Sequence, residues 1–492
     1  MEKLYVACEF GPRTSRIMLG TLHNNTLKMG ELRRFATPIT NEKKALQWNI
    51  PALFQEVVTT LTELGKEEIS LAGISCHSWG SDYLLFDKDG TLLSPAFHHD
   101  DPRSVAGAKQ VLEKISTETI YEETGVPHRP GSTLFQLGAE TSKRFKQAAT
   151  LLPFADGFNH LLGGKACAEA SLASTTQLFS PVTKSWSRRL ANDLRLRPGL
   201  LPEVITAGTK LGSLRADLAQ QTKLEDAQII ATCSNELAAS LSSLPLNHGR
   251  DWAYLRIGSE TLVGTEVPDP IITIGTQSLG YTNETSLGGA TNLYRRTVGL
   301  FILEECRRYW VEHDRELHDD VLLHLATTSP AFESLIDPTH PCFAEPGDMP
   351  LKIQAYCRET GQEIPRKPGQ IIRCVLESLA LNYRKVFHET EMLTGSRFGR
   401  VFLFGAGENN LLNHFIVDAL QVPAIIASPD AAAIGNVVVQ ALTLGHIDSL
   451  EAAHEILRSS YKIQAIIPHQ ASWATAAERM NELTTASAAA TA

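Results

Sequence analysis

Short apolar runs and polar turns alternate along the first eighty residues in the pattern of a mixed α/β protein. Apolar residues concentrate at positions 4–9, 17–22 and 69–76, which predicts three strands. Residues 12–16, Pro-Arg-Thr-Ser-Arg, predict the turn that joins the first two strands. Pro51 predicts the first turn of a helix that ends near Gly65, because proline is well tolerated at that position.

A stretch near the middle of the chain joins an apolar run to a helix through a carboxylate. Residues 229–231 predict a buried strand, and an alanine-rich helix begins close to Glu236. A further strand, predicted over residues 254–257, ends in the turn Gly258-Ser259. Ligands collect beyond the carboxyl ends of strands in α/β proteins. We therefore expect Glu236 and this turn to belong to ligand sites.

The polar residues 246–252 predict a boundary between two domains. Beyond them we expect strands over 400–404 and 422–427, helices over 298–309, 369–395 and 411–420, and a surface loop over 337–350. Gly405-Ala406-Gly407 joins a strand to a helix, so its backbone N–H groups are candidates for binding phosphate. We assign residues 1–246 to an N-terminal domain, 247–468 to a C-terminal domain and 469–492 to a low-complexity tail.

Composition narrows the class of protein. A chain of 492 residues with 43% apolar and 20% charged residues has the composition of a globular protein of two domains. The net charge of -10 argues against nucleic acid or an anionic membrane as the main partner. No apolar run is long enough for a signal peptide or a membrane span, so we expect a cytoplasmic protein. We expect it to be a monomer or a homodimer, although the sequence does not fix the oligomeric state. The eight cysteines include no Cys-x-x-Cys pair, which argues against a zinc site.

The predicted hairpin near the N-terminus carries groups that can hold phosphate oxygens. Gly11, Thr14, Ser15 and Arg16 offer backbone N–H groups, two hydroxyls and a guanidinium. The same residues are also typical of an ordinary polar turn.

Two later loops carry candidate ligand-binding side chains. In Trp79-Gly80-Ser81-Asp82 the aromatic face, the glycine and the carboxylate suit a polyhydroxylated ligand, although a core tryptophan beside a bulge would have the same sequence. His98-His99-Asp100-Asp101 has the composition of a metal site. Adjacent side chains do not all converge on one ion, so we predict a solvated loop in which Asp101 binds ligand.

Taken together, these segments resemble the FGGY carbohydrate kinases, and within them the rhamnulokinases, over roughly residues 4–465. The resemblance lies in the order and spacing of several short motifs, which are the Gly11 hairpin, Trp48-Asn49, Ser78–Asp82, Ser132–Leu137, Thr175–Leu178, Ser234–Glu236, Gly258-Ser259, Gly405–Gly407 and Ala433–Asn436. It implies two actin-like (ribonuclease H-like) α/β domains of the sugar kinase, Hsp70 and actin superfamily, with ATP in a cleft between them. It also implies that Cys357 and Cys374 occupy the positions of a pair that can bridge.

The resemblance implies transfer of a phosphoryl group from MgATP to a sugar hydroxyl, with a carboxylate accepting the hydroxyl proton. Glu236 matches the catalytic base, and Glu9 matches the carboxylate that holds Mg²⁺. The nucleotide positions are Gly11, Thr14, Ser15, Arg16, Gly258, Ser259, Glu304, Gly405 and Gly407. The sugar positions are Trp79, Gly80, Asp82, Asp101, Asn235 and Arg296.

Several of these positions depart from the family pattern. Glu9 and Glu236 stand where the family carries Asp, and Asn235-Glu236-Leu237 replaces His-Asp-Thr. Arg296 replaces an Asn, Glu304 replaces a Gln, and Glu260 replaces an aromatic residue. Each exchange of Asp for Glu keeps the charge but lengthens the side chain, and a misplacement of about 1 Å can lower a rate about 100-fold.

Three functions remain open at this point. The first is an active kinase for a ketose such as L-rhamnulose. The second is a catalytically impaired kinase fold that binds sugar or nucleotide as a sensor or partner subunit, which the departures at the site favour. The third is an actin-like or Hsp70-like ATPase, against which the Trp79-Gly80-x-Asp82 motif argues.

Overall fold

A computed structural model describes residues 2–42, 45–140, 143–246, 251–313, 317–405, 410–461, 464–469 and 472–491. The chain divides into two compact units, each built from separate parts of the sequence. The first unit comprises residues 1–248, 266–293 and 430–462, and the second comprises 249–265, 294–429 and 463–492.

The first unit is built on a mixed sheet. Its strands follow the spatial order Thr209–Ser213, Gln228–Ala231, Leu71–Ser78, Lys3–Phe10, Thr14–His23 and Thr26–Ala36. Leu71–Ser78 runs parallel to both of its neighbours, and the remaining pairs are antiparallel. The smaller strands of this unit are Ile39–Glu42, Ala45–Trp48, Tyr83–Phe86, Leu92–Leu93, Ala96–Phe97, Thr150–Pro153, Ala168–Glu169, Phe179–Ser180, Ser185–Trp186, Val204–Ile205 and Tyr281–Thr285.

Both faces of the large sheet are covered, because alternate residues of each strand point to opposite sides. Val6 and Cys8 join a core that includes the helix Ile50–Gly65, whereas Tyr5 and Ala7 pack with the helix Ala431–Thr443. That helix lies very close to the sheet, since a Cβ on Gly20 would lie 2.6 Å from a methyl carbon of Val437.

The helices of the first unit surround these sheets. They are Ile50–Gly65, Arg103–Leu112, Thr117–Thr124, Thr133–Gly138, Lys143–Gln147, Phe154–Leu162, Ala170–Ala173, Arg188–Asp193, Ala216–Thr222, Glu236–Leu241, Ile274–Ser278, Ala431–Thr443 and Leu450–Ser460, with short 3₁₀ turns at Ser174–Thr176 and Leu287–Gly289. Asn49 caps the first of them, since its side chain accepts a hydrogen bond from the N–H of Ala52.

The second unit has its own sheet and its own core. The strands Thr291–Val298, Glu260–Val267, Trp252–Arg256, Arg400–Phe404, Ala424–Ile426 and Gln464–Ile466 follow one another in this order across the sheet. The helices are Phe301–His313, Asp319–Thr328, Met349–Glu359, Pro368–Thr394, Asn410–Leu420 and Trp473–Thr491, with a 3₁₀ turn at Pro341–Phe343. Apolar side chains of the sheet and of the long helix Pro368–Thr394 supply most of this core.

Most predicted elements of the second unit are present, with two differences. Residues 337–350 are not a plain loop, because they contain the 3₁₀ turn and the start of the helix Met349–Glu359. The predicted tail forms the helix Trp473–Thr491, whose Trp473 and Met480 are buried in the core. These two apolar side chains are far apart in an Ala/Thr-rich sequence, so the composition obscures the packed face.

The cysteine thiols are free. Cys357 and Cys374 do not form the bridge that the resemblance implies. They are nevertheless neighbours, since a hydrogen bond that the thiol of Cys374 donates to Cys357, together with burial, raises the pKa of Cys374. Within the described part of the chain, no helix combines the length and the apolar character needed to cross a bilayer.

Candidate active site

The carboxyl end of the strand Leu71–Ser78 connects three groups of candidate residues in the first unit. His77 lies beside Glu9 on the neighbouring parallel strand. The N–H of Ser78 donates to the carbonyl of Ser234, in the segment that leads to Glu236. Trp79, the next residue, enters the loop that carries Asp82. Three consecutive residues therefore lie beside the predicted metal position, the segment that leads to the predicted base, and the loop of the predicted sugar positions.

Glu9 is held by the guanidinium of Arg16. Nη2 of Arg16 lies 2.8 Å from Oε2 and 3.0 Å from Oε1 of Glu9, and Nη1 lies 2.7 Å from Asp430. Burial alone would raise the pKa of Glu9, but the nearby His77 and Arg16 outweigh it and lower the pKa to about 2. Glu9 is therefore ionised throughout the neutral pH range.

The hairpin that carries Arg16 is shorter at its tip than predicted. Residues 12–16 do not form a turn throughout, because the strand Thr14–His23 already begins at Thr14. Ser15 is fully buried, and its hydroxyl hydrogen-bonds to that of Thr37 at 2.8 Å. Thr14 is exposed at the tip, close to Gly11. The described hairpin thus offers Thr14 and its neighbouring backbone to a ligand, and it keeps the hydroxyl of Ser15 inside.

Asp82 organises an aromatic cluster. Its Oδ2 accepts hydrogen bonds from Nε1 of Trp48 at 2.9 Å and from Nε1 of Trp79 at 2.7 Å. The same oxygen pairs with Nδ1 of His99 at 2.7 Å, and Oδ1 accepts from Gln136 at 3.2 Å. The side chain of Asp82 has no exposed surface. In this arrangement the carboxylate orients the rings around it, and the partly exposed rings are what a ligand can reach.

The loop around Asp82 is tightly constrained. Ser81 has a left-handed backbone with φ +79°, which is uncommon for a residue other than glycine. A Cβ on Gly80 would lie 2.5 Å from the hydroxyl of Thr175, so only glycine fits there without a shift.

The segment His98–Asp101 differs from its prediction in two ways. It is not solvated throughout, because His98 and Asp101 are buried. Asp101 accepts from the N–H groups of Leu46 and Arg103, so its carboxylate joins two backbone segments. The potential ligand atoms of His98, His99 and Asp100 also converge, since they all lie within 4.8 Å of one another. Stacking explains this convergence, because the ring of His98 lies between those of Trp48 and His99.

Glu236 begins the helix Glu236–Leu241, just beyond the strand Gln228–Ala231. Asn235 is the N-cap, and its Oδ1 accepts from the N–H groups of Leu237 and Ala238 at 3.0 Å and 3.2 Å. The side-chain amide oxygen of Asn235 is thus engaged by the helix. Glu236 is partly exposed, so a hydroxyl group of a ligand can reach its carboxylate.

Two buried carboxyl groups that the sequence analysis did not select support this segment. Glu169 accepts from the N–H of Ser234 at 2.9 Å, and Asp156 accepts from its hydroxyl at 2.7 Å. Burial raises the pKa of both carboxyl groups. No spacing rule connects residues 156, 169 and 234, because they come together only in the fold.

The candidate nucleotide residues of the second unit form a polar turn. The hydroxyl of Ser259 donates to both carboxylate oxygens of Glu304, at 3.0 Å and 2.8 Å. Nη1 of Arg296 pairs with Glu260 at 3.0 Å. Gly258 accepts from the N–H of Leu300 through its carbonyl, which ties the turn to the start of the helix Phe301–His313.

The glycine-rich segment after the strand Arg400–Phe404 is described only in part. Gly405 has a left-handed backbone with φ +69°, and a Cβ there would lie 2.4 Å from the carbonyl of Ile257. Gly407 lies outside the described residues.

The residues around Glu9 fit a divalent cation. Mg²⁺ is usually bound by one or two carboxylates together with water and phosphate oxygens. Glu9 and Asp430 are two carboxylates on one guanidinium, and Glu9 is ionised at neutral pH. Glu9 would hold the ion, and Arg16 would have to release at least one of its oxygens.

Family profiles match most of the chain. The N-terminal domain of the FGGY family of carbohydrate kinases matches residues 5–241, and the C-terminal domain of that family matches residues 253–444. The chain belongs to the FGGY family of carbohydrate kinases. Members of this family phosphorylate sugars with ATP, generally with a divalent metal.

Known relatives support this assignment along most of the sequence. A rhamnulokinase of Bacteroides thetaiotaomicron is 30% identical over 480 residues, which cover 96% of this chain and 98% of the relative. A rhamnulokinase of Enterococcus faecalis is 31% identical over 464 residues, covering 94% and 93%. The chain is therefore a rhamnulokinase-like member of the family.

Solved structures support the fold. A ligand-bound xylulose kinase of Lactobacillus acidophilus superposes with a TM-score of 0.81 at 15% identity, over 99% of each chain. A glycerol kinase of Plasmodium falciparum with ADP gives a TM-score of 0.78 at 11% identity, over 98% of this chain and 97% of the other. The predicted two-domain, actin-like α/β fold is thereby confirmed.

Proposed function

We propose that this protein transfers the γ-phosphoryl group of MgATP to a hydroxyl of a ketose, with L-rhamnulose as the first candidate. The observation that carries this proposal is the likeness to proteins named rhamnulokinase over 96% of the chain. The presence of a carboxylate at each of the two key positions, Glu9 and Glu236, also supports an active enzyme.

In the proposed reaction, Glu236 accepts the proton of the sugar hydroxyl while the hydroxyl oxygen attacks the γ-phosphorus of ATP. The bond from the γ-phosphorus to the β,γ-bridging oxygen breaks, and ADP leaves. The place of Glu236 at the N-terminus of the Asn235-capped helix fixes its backbone, which favours a single orientation of attack. The aromatic cluster around Asp82 supplies ring faces for the C–H groups of the sugar. Asn235, Asp101 and Gly80 act here mainly through the backbone that they hold.

The nucleotide contacts are assigned by resemblance, for each unit by itself. Thr14, Arg16 and the Gly11 hairpin in the first unit, and Gly258, Ser259 and Gly405 in the second, offer N–H, hydroxyl and guanidinium donors to phosphate oxygens. Gly407 is assigned by resemblance alone. Glu304 accepts from the hydroxyl of Ser259, so its carboxylate influences which nucleotide groups bind there. Arg296, which the resemblance assigns to the sugar, pairs with Glu260 in the same unit. A divalent cation on Glu9 supplies positive charge that offsets the charge of the phosphates.

The test is ADP release with MgATP over a panel of ketoses that includes L-rhamnulose and L-fuculose. We expect sugar-dependent turnover that Glu236→Gln lowers by at least about 100-fold, the typical contribution of a general base. Glu225→Gln, at an exposed glutamate, is the matched control and should leave the rate unchanged. Turnover that survives in Glu236→Gln would exclude Glu236 as the base, and a folded protein without turnover on any sugar would contradict the kinase assignment.

A further inference from the structure

One buried nitrogen near Glu9 has no hydrogen-bond partner in the part of the chain that the structure describes. His77 is fully buried, and among the described residues its Nε2 has no acceptor within hydrogen-bond distance. The nearest carboxylate atom is Oε2 of Glu9, at 3.7 Å. A buried donor without a partner costs about 1–3 kcal/mol, so its retention calls for an explanation.

The surrounding hydrogen bonds fix which nitrogen of His77 carries the proton. The side-chain N–H₂ of Gln440 donates to the carbonyl of Val6 at 3.0 Å and to Oδ1 of Asn436 at 2.8 Å. The amide of Asn436 is thereby oriented with its Nδ2 towards His77, 3.0 Å from Nδ1. An amide nitrogen donates only, so Nδ1 of His77 accepts and the proton resides on Nε2.

This chain of bonds aims an N–H group at the carboxylate. Glu9 and His77 are register partners on adjacent parallel strands, and both lie on the sheet face that packs against the helix Ala431–Thr443. The gap of 3.7 Å exists while Arg16 draws both oxygens of Glu9 towards itself. A displacement of Oε2 by less than about 1 Å would bring this oxygen within hydrogen-bond distance of Nε2.

We propose that His77 is a positioning residue that orients Glu9 for a divalent cation. This inference rests on the proposed function, in which Arg16 turns to the phosphates of the nucleotide. Once Arg16 has left, the N–H of His77 holds one oxygen of Glu9 and directs the other to the ion. Hydrogen bonds to ligating carboxylates commonly change metal affinity 10–100-fold.

The experiment measures binding of Mn²⁺ by electron paramagnetic resonance in the presence of ADP, alongside steady-state kinetics with varied Mg²⁺. His77→Leu should raise the Kd for Mn²⁺ and the KM for Mg²⁺ about 10–100-fold, with a smaller effect on kcat at saturating Mg²⁺. His77→Gln, whose amide keeps a donor in a similar place, should restore most of the affinity. His77→Asn retains polarity but falls short of Glu9, so it should behave as His77→Leu does and serves if that variant does not fold.

Ser75→Ala is the matched control. Ser75 lies two residues earlier on the same face of the same strand and is fully buried. Its replacement by Ala removes a hydrogen bond to the hydroxyl of Thr232. It should leave the Kd for Mn²⁺ unchanged even if stability falls. Equal affinities in the wild type, His77→Leu and His77→Asn would overturn the proposal.

Glu9→Gln separates this inference from the proposed function. If Glu9→Gln loses Mn²⁺ affinity and the His77 variants do not, only the positioning role fails. If Glu9→Gln binds as the wild type does, Glu9 is not a ligand and the positioning role fails with it. If the His77 variants weaken Mn²⁺ binding in a protein that phosphorylates no sugar, the positioning role holds and the kinase assignment fails.

Discussion

Replacing Asp82 by Asn tests whether one buried carboxylate organises the aromatic cluster. Oδ2 of Asp82 takes bonds from Trp48, Trp79 and His99, so the amide oxygen of Asn would occupy that place. The amide nitrogen would then face Nε2 of Gln136, which is also a donor. Gln136 cannot reverse its amide freely, because the same nitrogen donates to the carbonyls of Ser81 and Gly131.

The magnitude follows from the number and type of the bonds. A hydrogen bond to a charged group contributes about 1.5–3 kcal/mol and one between neutral groups about 0.5–1.5 kcal/mol. Three bonds on Oδ2 each lose about 1 kcal/mol when the charge is removed. We expect Asp82→Asn to lower the free energy of unfolding by about 3 kcal/mol.

The loss should depend on pH through His99. Burial lowers the pKa of His99, but its bond to Asp82 and the charges of Asp82 and Asp100 outweigh burial and raise the pKa above the ordinary value. A histidine with a raised pKa adds stability that is fully present below its unfolded pKa, about 6.5, and disappears as pH rises through the folded value. The difference between wild type and Asp82→Asn should therefore be larger near about pH 5.5 than near about pH 9.

Urea unfolding followed by circular dichroism and tryptophan fluorescence at both pH values measures this difference. Asp100→Asn is the control, because Asp100 lies 3.7 Å from Nε2 of His99 but its side chain is 74% exposed. We expect that control to change stability by no more than about 0.5 kcal/mol. The reasoning is refuted if Asp82→Asn costs no more than Asp100→Asn, or if its cost does not fall with rising pH.

Two further predictions address the support of Glu236. A Cβ on Gly435 would lie 1.9 Å from the carbonyl of Ala239, so Gly435→Ala must displace the helix that begins with Glu236. Under the proposed function, kcat should therefore fall about 100-fold. Gly30→Ala is the control and should keep the wild-type rate, because a Cβ on Gly30 meets no described atom within 4 Å. Burial and the charge of Glu169 raise the pKa of Asp156, so its contribution to stability is greatest below the unfolded pKa of about 4 and is lost as pH rises through the folded value. Asp156→Asn should flatten the dependence of unfolding free energy on pH above about 4, and an unchanged slope in urea unfolding would contradict this origin.

The elements that the sequence predicts well are those in which local pattern and burial agree. The strand Arg400–Phe404 has the predicted bounds, because its residues form a short apolar run. The helix Ile50–Gly65 does too, because apolar periodicity and the capping residue Asn49 coincide there. The prediction of a turn over residues 12–16 is wrong in its extent, because the strand already begins at Thr14. Polar residues dominate that segment, and yet Ser15 pairs inside the sheet because Thr37, far along the chain, satisfies its hydroxyl.

The site is predictable only where a motif stays local. The Asn235-Glu236 start of a helix follows from the sequence, because an N-cap and an acidic first turn are adjacent residues. Glu169, Asp156 and His77 carry no local signal, since their partners are 65, 78 and 359 positions away. Strand alternation would at most have placed His77 on the same face as Ser75, without its partner on the helix Ala431–Thr443.

The longer carboxylate at position 236 can be judged from how firmly its backbone is held. The N–H of Ser234 donates to Glu169, its carbonyl accepts from Ser78, and the N–H of Asn235 donates to Ser171 at 3.1 Å. Because this segment is held from three directions, it cannot move forward to compensate for a shorter side chain.

Glu236→Asp should therefore withdraw the carboxylate by about one C–C bond, roughly 1.5 Å, and lower kcat about 100-fold. Glu225→Asp, at an exposed position, controls for the same change of side chain. A rate that rises in Glu236→Asp would mean that the site is built for the shorter acid, and that the glutamate impairs catalysis. A rate that falls means that the fixed backbone and the longer side chain of Glu236 are matched to each other, as expected of an active site that has adjusted to glutamate.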